Sequence, residues 1–265
     1  MPFFTNDRIK IYYEIEGEGP PVVMIHGFAS SLEGTWKHTN WIETLKDNYR
    51  VILLDCRGHG KSDKPHGNSD YGQKMNDDII KLMEHLSIDK ANFFGYSMGA
   101  ALTFRLLVTN PEIIISAILG GYVLTLDEKH ILKDIKYTKQ IIDGLRATNI
   151  SQIKKPMARA FRQFAEQHEN DLLALAAVQA SFLEDEVSEL INSPDHLRKL
   201  LKNIKLPIMT IMGSNEILAG DKTLIAQLVP DACHFQIQGK DHLTAPRDPK
   251  SHMVVKAFLD YVNRR

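Results

Sequence analysis

A serine held between glycines, in the stretch NFFGYSMGAA (92–101), is the first group in this chain with the makings of a nucleophile. The pattern G-x-S-x-G is short enough to arise by chance, and a serine ahead of a helix often does no more than cap it. The setting gives it weight: Ser97 follows an apolar run of the kind that forms a buried strand and precedes a run of small, helix-forming residues. At a sharp strand-to-helix turn the serine takes a strained backbone, while Gly95 and Gly99 let strand and helix approach without Cβ clashes. Its Oγ then stands at the carboxyl edge of the sheet. The Met98 N–H, in the first turn of the new helix, faces the place where a tetrahedral oxyanion would form, and Phe28, after Gly27 in MIHGFASS, offers a second N–H.

A serine needs a base, and eleven histidines compete. His85, His130, His168 and His196 fall in helix-like stretches, whereas His26 and His59 belong to loops they are expected to brace, the latter with Arg57 in DCRGHGKSD. His242 lies in a polar loop between the last strand-like run and the last helix, where a parallel sheet brings it to the same edge as Ser97. The carboxylate that would orient it is open to more than one choice. Glu216 lies three residues beyond Gly213 in GSNEILAGD, close to a strand end, while Asp221 stands where the helix KTLIAQLV should begin and suits its cap. Asp127, after the preceding strand, is a third possibility.

These groups need elements to hold them. Residues 8 to 25 read as two β-rich runs parted by a Gly/Pro turn, a hairpin leading into a buried strand. Continuous apolar runs follow at VILLD, ANFFG, IIISAILGG, PIMTIMG and CHFQIQG, the pattern of strands buried on both faces. Helical spacing separates most of them, as in Met75, Ile79, Met83 and Leu86. Strands alternating with helices imply a mostly parallel sheet covered on both faces. The alternation breaks between residues 125 and 205, where only charge-rich, helix-compatible sequence such as ARAFRQFAEQHENDLLALAAVQASFLEDEVSEL occurs. The expected organisation is a core of residues 1–124 and 206–265 with a helical cap, 125–205, inserted over the site.

Taken in order, HGF, DCRGHGKSD, GYSMG and GKDH make the chain resemble the α/β-hydrolase superfamily over essentially its full length. The resemblance implies an eight-stranded, mostly parallel sheet and the triad order Ser97, Glu216, His242. The chain departs from it at one position, since the family usually carries aspartate where Glu216 stands, and Asp221 remains the alternative acid. Ser97 also sets it apart from the haloalkane dehalogenases and soluble epoxide hydrolases of this fold, which use an aspartate nucleophile. The chemistry expected is hydrolysis of a carboxylic ester through an acyl-enzyme, with Phe28 and Met98 as the oxyanion hole. The alternatives are cleavage of a C–C bond or thioester, or a slow-turnover ligand-binding signalling protein that keeps the triad.

Composition narrows the partners. With 32 basic and 33 acidic residues there is no excess charge to draw nucleic acid or an anionic membrane, and a small-molecule substrate is the expected partner. No stretch has the length and apolarity of a membrane span or a signal peptide, so a soluble, cytoplasmic protein is expected. Cys56 and Cys233 show no metal or redox spacing and read as two buried thiols. No metal or organic cofactor is implied.

Overall fold

The computed structural model describes residues 2–184, 193–218 and 220–264. Eight strands form one sheet: β1 (Phe3–Asn6), β2 (Ile9–Glu16), β3 (Pro21–Ile25), β4 (Arg50–Leu54), β5 (Ala91–Tyr96), β6 (Ile114–Gly120), β7 (Ile208–Gly213) and β8 (Ala232–Ile237). Their spatial order is β1-β2-β4-β3-β5-β6-β7-β8, antiparallel at β1/β2 and β2/β4 and parallel from β4 onward. On one face lie α2 (Gln73–His85) and α3 (Met98–Thr109), with α7 (Pro194–Asn203) and α8 (Leu224–Leu228). The other face is covered by α1 (Trp41–Leu45) and α9 (Pro249–Val262). Between β6 and β7 the chain inserts α4 (Glu128–Arg146), α5 (Pro156–Gln167), α6 (Leu172–Glu184) and then α7.

Why the central strands read as unbroken apolar runs is plain from their side chains. Val22 and Met24 of β3 and Val51 and Leu53 of β4 enter the core beneath Trp36, Trp41 and Leu259. Their neighbours Val23, Ile25, Ile52 and Leu54 enter the opposite core, with Ile79, Leu82 and Phe104. Alternate residues point to opposite faces, and both faces are dry.

Three expectations fail at the margins of the sheet. Residues 8 to 25 do not make a hairpin, because β4 lies between β2 and β3. The Gly17–Pro20 turn runs beneath the start of β4 instead: a Cβ at Gly17 would meet the Lys46 carbonyl oxygen at 2.1 Å, and the Arg50 N–H donates to the Pro20 carbonyl at 3.1 Å. The hairpin is β1–β2, turned through Asp7 and Arg8 at φ 47 and 68, the left-handed pair that a two-residue loop of this kind requires, without the Asn-Gly signal that usually marks one. At the far edge β8 pairs with β7 alone and is only partly covered, leaving Phe235 38% exposed and Cys233 half-buried. Both cysteines are free thiols, and only Cys56 is fully buried.

The inserted helices carry their own small core of Ile141, Ile142, Leu145, Ala165, Leu175 and Ala176. Two charged groups close the ends of α4. Asp127 accepts the Lys129 N–H at 2.8 Å at its start, and Arg162 donates to the carbonyls of Gly144, Leu145 and Ala147 at its end. The stretch quoted above for this region runs on through residues 185–190, which lie outside the described residues.

The tightest point of the fold joins β5 to α3. A Cβ on Gly95 would fall 2.1 Å from the Gly99 carbonyl oxygen, and one on Gly99 would fall 1.9 Å from that of Ile25. Both clashes are with backbone, which cannot swing aside. Gly99→Ala is expected to lower the melting temperature by about 10 °C or more, or to abolish soluble expression. Gly27→Ala, whose Cβ would meet the Ser97 Cβ at an ordinary 3.5 Å, should shift it by less than about 3 °C; a thermal melt of each variant checks the pair.

Candidate active site

Ser97 sits in the turn between β5 and α3 at φ 54 and ψ −113. For a residue with a side chain this is a costly backbone, of order 1–3 kcal/mol. It is held there by its own N–H, which donates to the Gly120 carbonyl at 2.8 Å, and by the Ala101 N–H, which donates to the Ser97 carbonyl at 3.0 Å. The Ser97 side chain makes no helix-capping bond. Its Oγ lies 3.0 Å from His242 Nε2 instead.

His242 Nδ1 lies 2.8 Å from Glu216 Oε2. A carboxylate only accepts, so Nδ1 carries the ring proton and Nε2 is left to take one from the serine. The glutamate reaches by folding back over its own loop: Oε1 accepts the N–H groups of Ile217 at 2.8 Å and Leu218 at 3.2 Å, leaving Oε2 for the imidazole. Burial works to raise the Glu216 carboxyl, and the hydrogen bond and electrostatic attraction of the His242 side chain, with the two amides, together carry it below its ordinary value. Its side chain is fully buried. Of the carboxylates left open by the residues, Glu216 is the one the fold brings against His242. Asp221 turns away and accepts the Thr223 N–H at 2.8 Å, the Thr223 hydroxyl at 2.7 Å and the Gln227 amide at 3.1 Å, ordering the turn that enters α8. Asp127 caps α4 and pairs with His130 at 3.0 Å.

The loop bearing His242 is itself tied down. Asp241 accepts the N–H groups of Leu243 and Thr244 at 3.0 and 2.9 Å, and Tyr96 Oη donates to the His242 carbonyl at 2.6 Å. Tyr96 stands beside Ser97 in the chain, so one residue links nucleophile turn and base loop. Residue types alone single out no such role for it, because a tyrosine at the end of a buried strand reads as packing.

Next to Ser97 in the chain, the Met98 N–H is a first-turn amide of α3 without an intrahelical acceptor. Gly27 brings the Phe28 loop against the serine, at the 3.5 Å already noted. That loop is a tight turn closed by the Ser30 N–H on the Gly27 carbonyl at 3.3 Å, with Ala29 at φ 55. Beneath it His26 Nδ1 donates to the Gly27 carbonyl at 2.8 Å and Nε2 accepts the Cys56 N–H at 3.0 Å. Burial depresses both His26 and its neighbour His59, the latter to about 3, so two rings packed edge to face stay neutral in the bracing layer. Asp55 takes the Leu32 and Lys61 N–H groups at 2.8 Å each, and Arg57 is locked to Asp78 by two 2.6 Å bonds. Arg57 and His59 thus brace their loop, as their positions suggested. Asp55 and Asp78 are partners that no local pattern reveals.

The insertion reaches the same turn. Ala29 is fully buried in the core of α4, α5 and α6, Phe28 meets Phe161 at 6.0 Å between ring centres, and Asn170, from the α5–α6 link, donates its side-chain amide to the Ala29 carbonyl at 3.0 Å.

Residues 20–188 match the family model described as the alpha/beta hydrolase fold. The chain belongs to this family. Among its relatives, the AB hydrolase superfamily protein YfhM of Bacillus subtilis is 36% identical over 137 residues, covering 50% of this chain and 46% of that protein. YisY, a second protein of that superfamily from the same organism, is 26% identical over 225 residues, 81% of each. YisY apart, the chain spans about half the length, or less, of the curated relatives it matches. A solved thermophilic esterase from Thermogutta terrifontis superposes with a TM-score of 0.74 at 21% identity, covering 96% of this chain and 94% of that one. No helix among the described residues is long and apolar enough to cross a membrane.

Two predictions follow from the geometry. Glu216→Gln is expected to cost about three to four orders of magnitude in kcat with little change in the melt, whereas Asp221→Asn should cost about 1 kcal/mol of stability and leave turnover nearly intact. Asn170→Ala and the isosteric Asn170→Asp, which no longer has the amide donor, should both lower kcat about tenfold with KM held within about twofold, because they loosen the turn that aims the Phe28 N–H. A loss confined to the alanine variant would point to packing instead.

Proposed function

We propose that the protein is a serine hydrolase that cleaves small carboxylic esters, with Ser97 as nucleophile, His242 as general base and acid, and Glu216 as the orienting carboxylate. The observation that carries this reading is the unbroken chain from Ser97 Oγ to His242 Nε2 at 3.0 Å and from His242 Nδ1 to Glu216 at 2.8 Å. It is supported by the Met98 N–H in the first turn of α3, by the Phe28 loop beside the serine and by membership of the alpha/beta hydrolase fold family.

The steps follow from the proton positions. Ser97 Oγ adds to the ester carbonyl carbon as its proton passes to His242 Nε2, and the carbonyl oxygen becomes an alkoxide that accepts from Phe28 and Met98 N–H. The buried Glu216 carboxylate steadies the imidazolium so formed. When the C–O bond to the alcohol breaks, His242 gives that proton to the departing oxygen and the acyl group stays on Ser97. Water then takes the place of the alcohol, loses a proton to His242 and adds its oxygen to the acyl carbon. Collapse of this second adduct releases the acid and returns the proton to Ser97. The inserted helices act as a cap that limits the acyl group, and short acyl chains are the preferred ones.

The test pairs 4-nitrophenyl esters of increasing acyl length with an active-site label. Wild type should show steady multiple turnover, and Ser97→Ala and His242→Ala should each lose about four or more orders of magnitude in kcat while keeping the native melt. A fluorophosphonate should add one equivalent, located on Ser97 by mass spectrometry. Near-wild-type turnover by either variant, or a label on a different serine, sinks the reading; a single turnover that stalls as a stable adduct would mark a ligand-responsive protein instead.

A further inference from the structure

A cavity of about 250 Å³ opens between α3, the segment that follows β6, α4 and α6. It begins close to the reacting groups. Ala101, in its wall, is one helical turn beyond Ser97. Tyr122, also in the wall, follows Gly121, where a Cβ would lie 3.0 Å from His242 Cε1.

Most of the lining is apolar, including Leu124, Ile135, Phe182 and Leu183. Its two threonines are already engaged: Thr138 donates to the Asp134 carbonyl at 3.0 Å and Thr125 accepts the Asp127 N–H at 3.0 Å. The side-chain amide of Gln179 and the phenol of Tyr122 are different. Both are half-buried in the wall, and neither side chain makes a hydrogen bond among the described residues. Burial pushes the Tyr122 phenol up even with the Arg105 charge nearby, so it keeps its proton and donates. Gln179 brings two N–H donors and one acceptor. Polar groups withdrawn from bulk water are as a rule satisfied, and when they face a cavity the partner is what fills it.

We propose that this cavity is a specificity subsite that receives one arm of the ester and recognises a neutral oxygen, carbonyl or hydroxyl, near the end of that arm, through Gln179 and Tyr122. The inference rests on the reading of Ser97 as the nucleophile. At about 30 Å³ per water-sized group the space takes on the order of eight non-hydrogen atoms, which sets the arm at a short chain. A plain alkyl arm would fill the apolar wall and leave both polar groups dry and unpaired. An oxygenated arm of the same length satisfies them, and sites built to bond a substrate oxygen discriminate strongly against analogues that lack it.

Two matched series test this on the purified protein, one for each arm. For the acyl arm, 4-nitrophenyl hexanoate is compared with 4-nitrophenyl 5-oxohexanoate; for the alcohol arm, pentyl acetate is compared with 4-oxopentyl acetate by pH-stat. In one of the two series kcat/KM is expected to favour the oxygenated member about tenfold, and Gln179→Leu and Tyr122→Phe should each bring that ratio toward one without changing the melt. The series that shows the preference assigns the arm. Turnover of the alkyl members with no preference in either series, or a preference that survives both substitutions, overturns the subsite while leaving the hydrolase reading intact. If no member is turned over the subsite falls, and the fluorophosphonate label on Ser97 then decides whether the hydrolase reading falls with it.

Discussion

The structure depends on how closely the backbone of β5 can approach that of α3. A serine is exposed at a sheet edge only if the chain reverses within one residue, and that reversal places Gly95 and Gly99 where a single added carbon would stand about 2 Å from a carbonyl oxygen. The left-handed backbone of Ser97 costs of order 1–3 kcal/mol, offset by a strand with all of β5 buried and by the bond from Ser97 N–H to Gly120. Everything else at the site is positioned against this point. β3 packs its last carbonyl on Gly99, which sets where the Phe28 loop begins; β6 supplies the carbonyl that holds Ser97, and Gly121, just beyond its end, lies close to His242.

The remaining groups reach the site from loops, and loops hold geometry only where their polar atoms are spoken for. Each loop at this edge is tied by one side chain with two or more bonds. Asp241 orders the His242 loop, Asp55 joins the oxyanion side to the 55–62 loop, and Glu216 divides its two oxygens between its own backbone and the imidazole. Tyr96 adds a tie across loops. A carboxylate on both backbone amides and a ring nitrogen has little freedom left, which is how the longer side chain of glutamate presents one oxygen at a fixed place.

Legibility follows the range of the interactions. Ser97, Gly95 and Gly99 stand within five residues, so their joint meaning is local and can be read directly; His242 needed only the rule that parallel strands end at one edge, whereas that rule left the carboxylate open between Glu216, Asp221 and Asp127, which all follow strands ending there. Arg57 could be seen to brace its loop, but Asp78 is 21 residues away on a helix and carries no mark of the pairing. The β1–β2 turn was hidden because Asp7 and Arg8 adopt left-handed backbone without glycine. β8 misled for another reason: its apolar run resembles a central strand, and whether a strand lies at the edge is set by topology, which apolar content does not encode. Asn170 lay inside a charge-rich helical stretch where one more polar residue is indistinguishable from solvated surface.

That asparagine alters how the insertion should be understood. If the helices between β6 and β7 only roofed a pocket, their core would stop at the pocket wall. It runs instead through the turn that follows β3, with Ala29 buried among Leu145, Ala165 and Leu175 and its carbonyl held by Asn170. Ala29 is left-handed at φ 55, a conformation that glycine would take more easily, so the turn depends on packing from above to stay in place. The Phe28 turn is therefore held from two layers at once, from below through His26 on the Gly27 carbonyl and from the inserted helices above through Asn170 on the Ala29 carbonyl. A shift of those helices on binding a substrate arm would be felt at the Phe28–Ala29 turn beside Ser97, because α4 and α6, which line the cavity, also carry the core that closes over the turn.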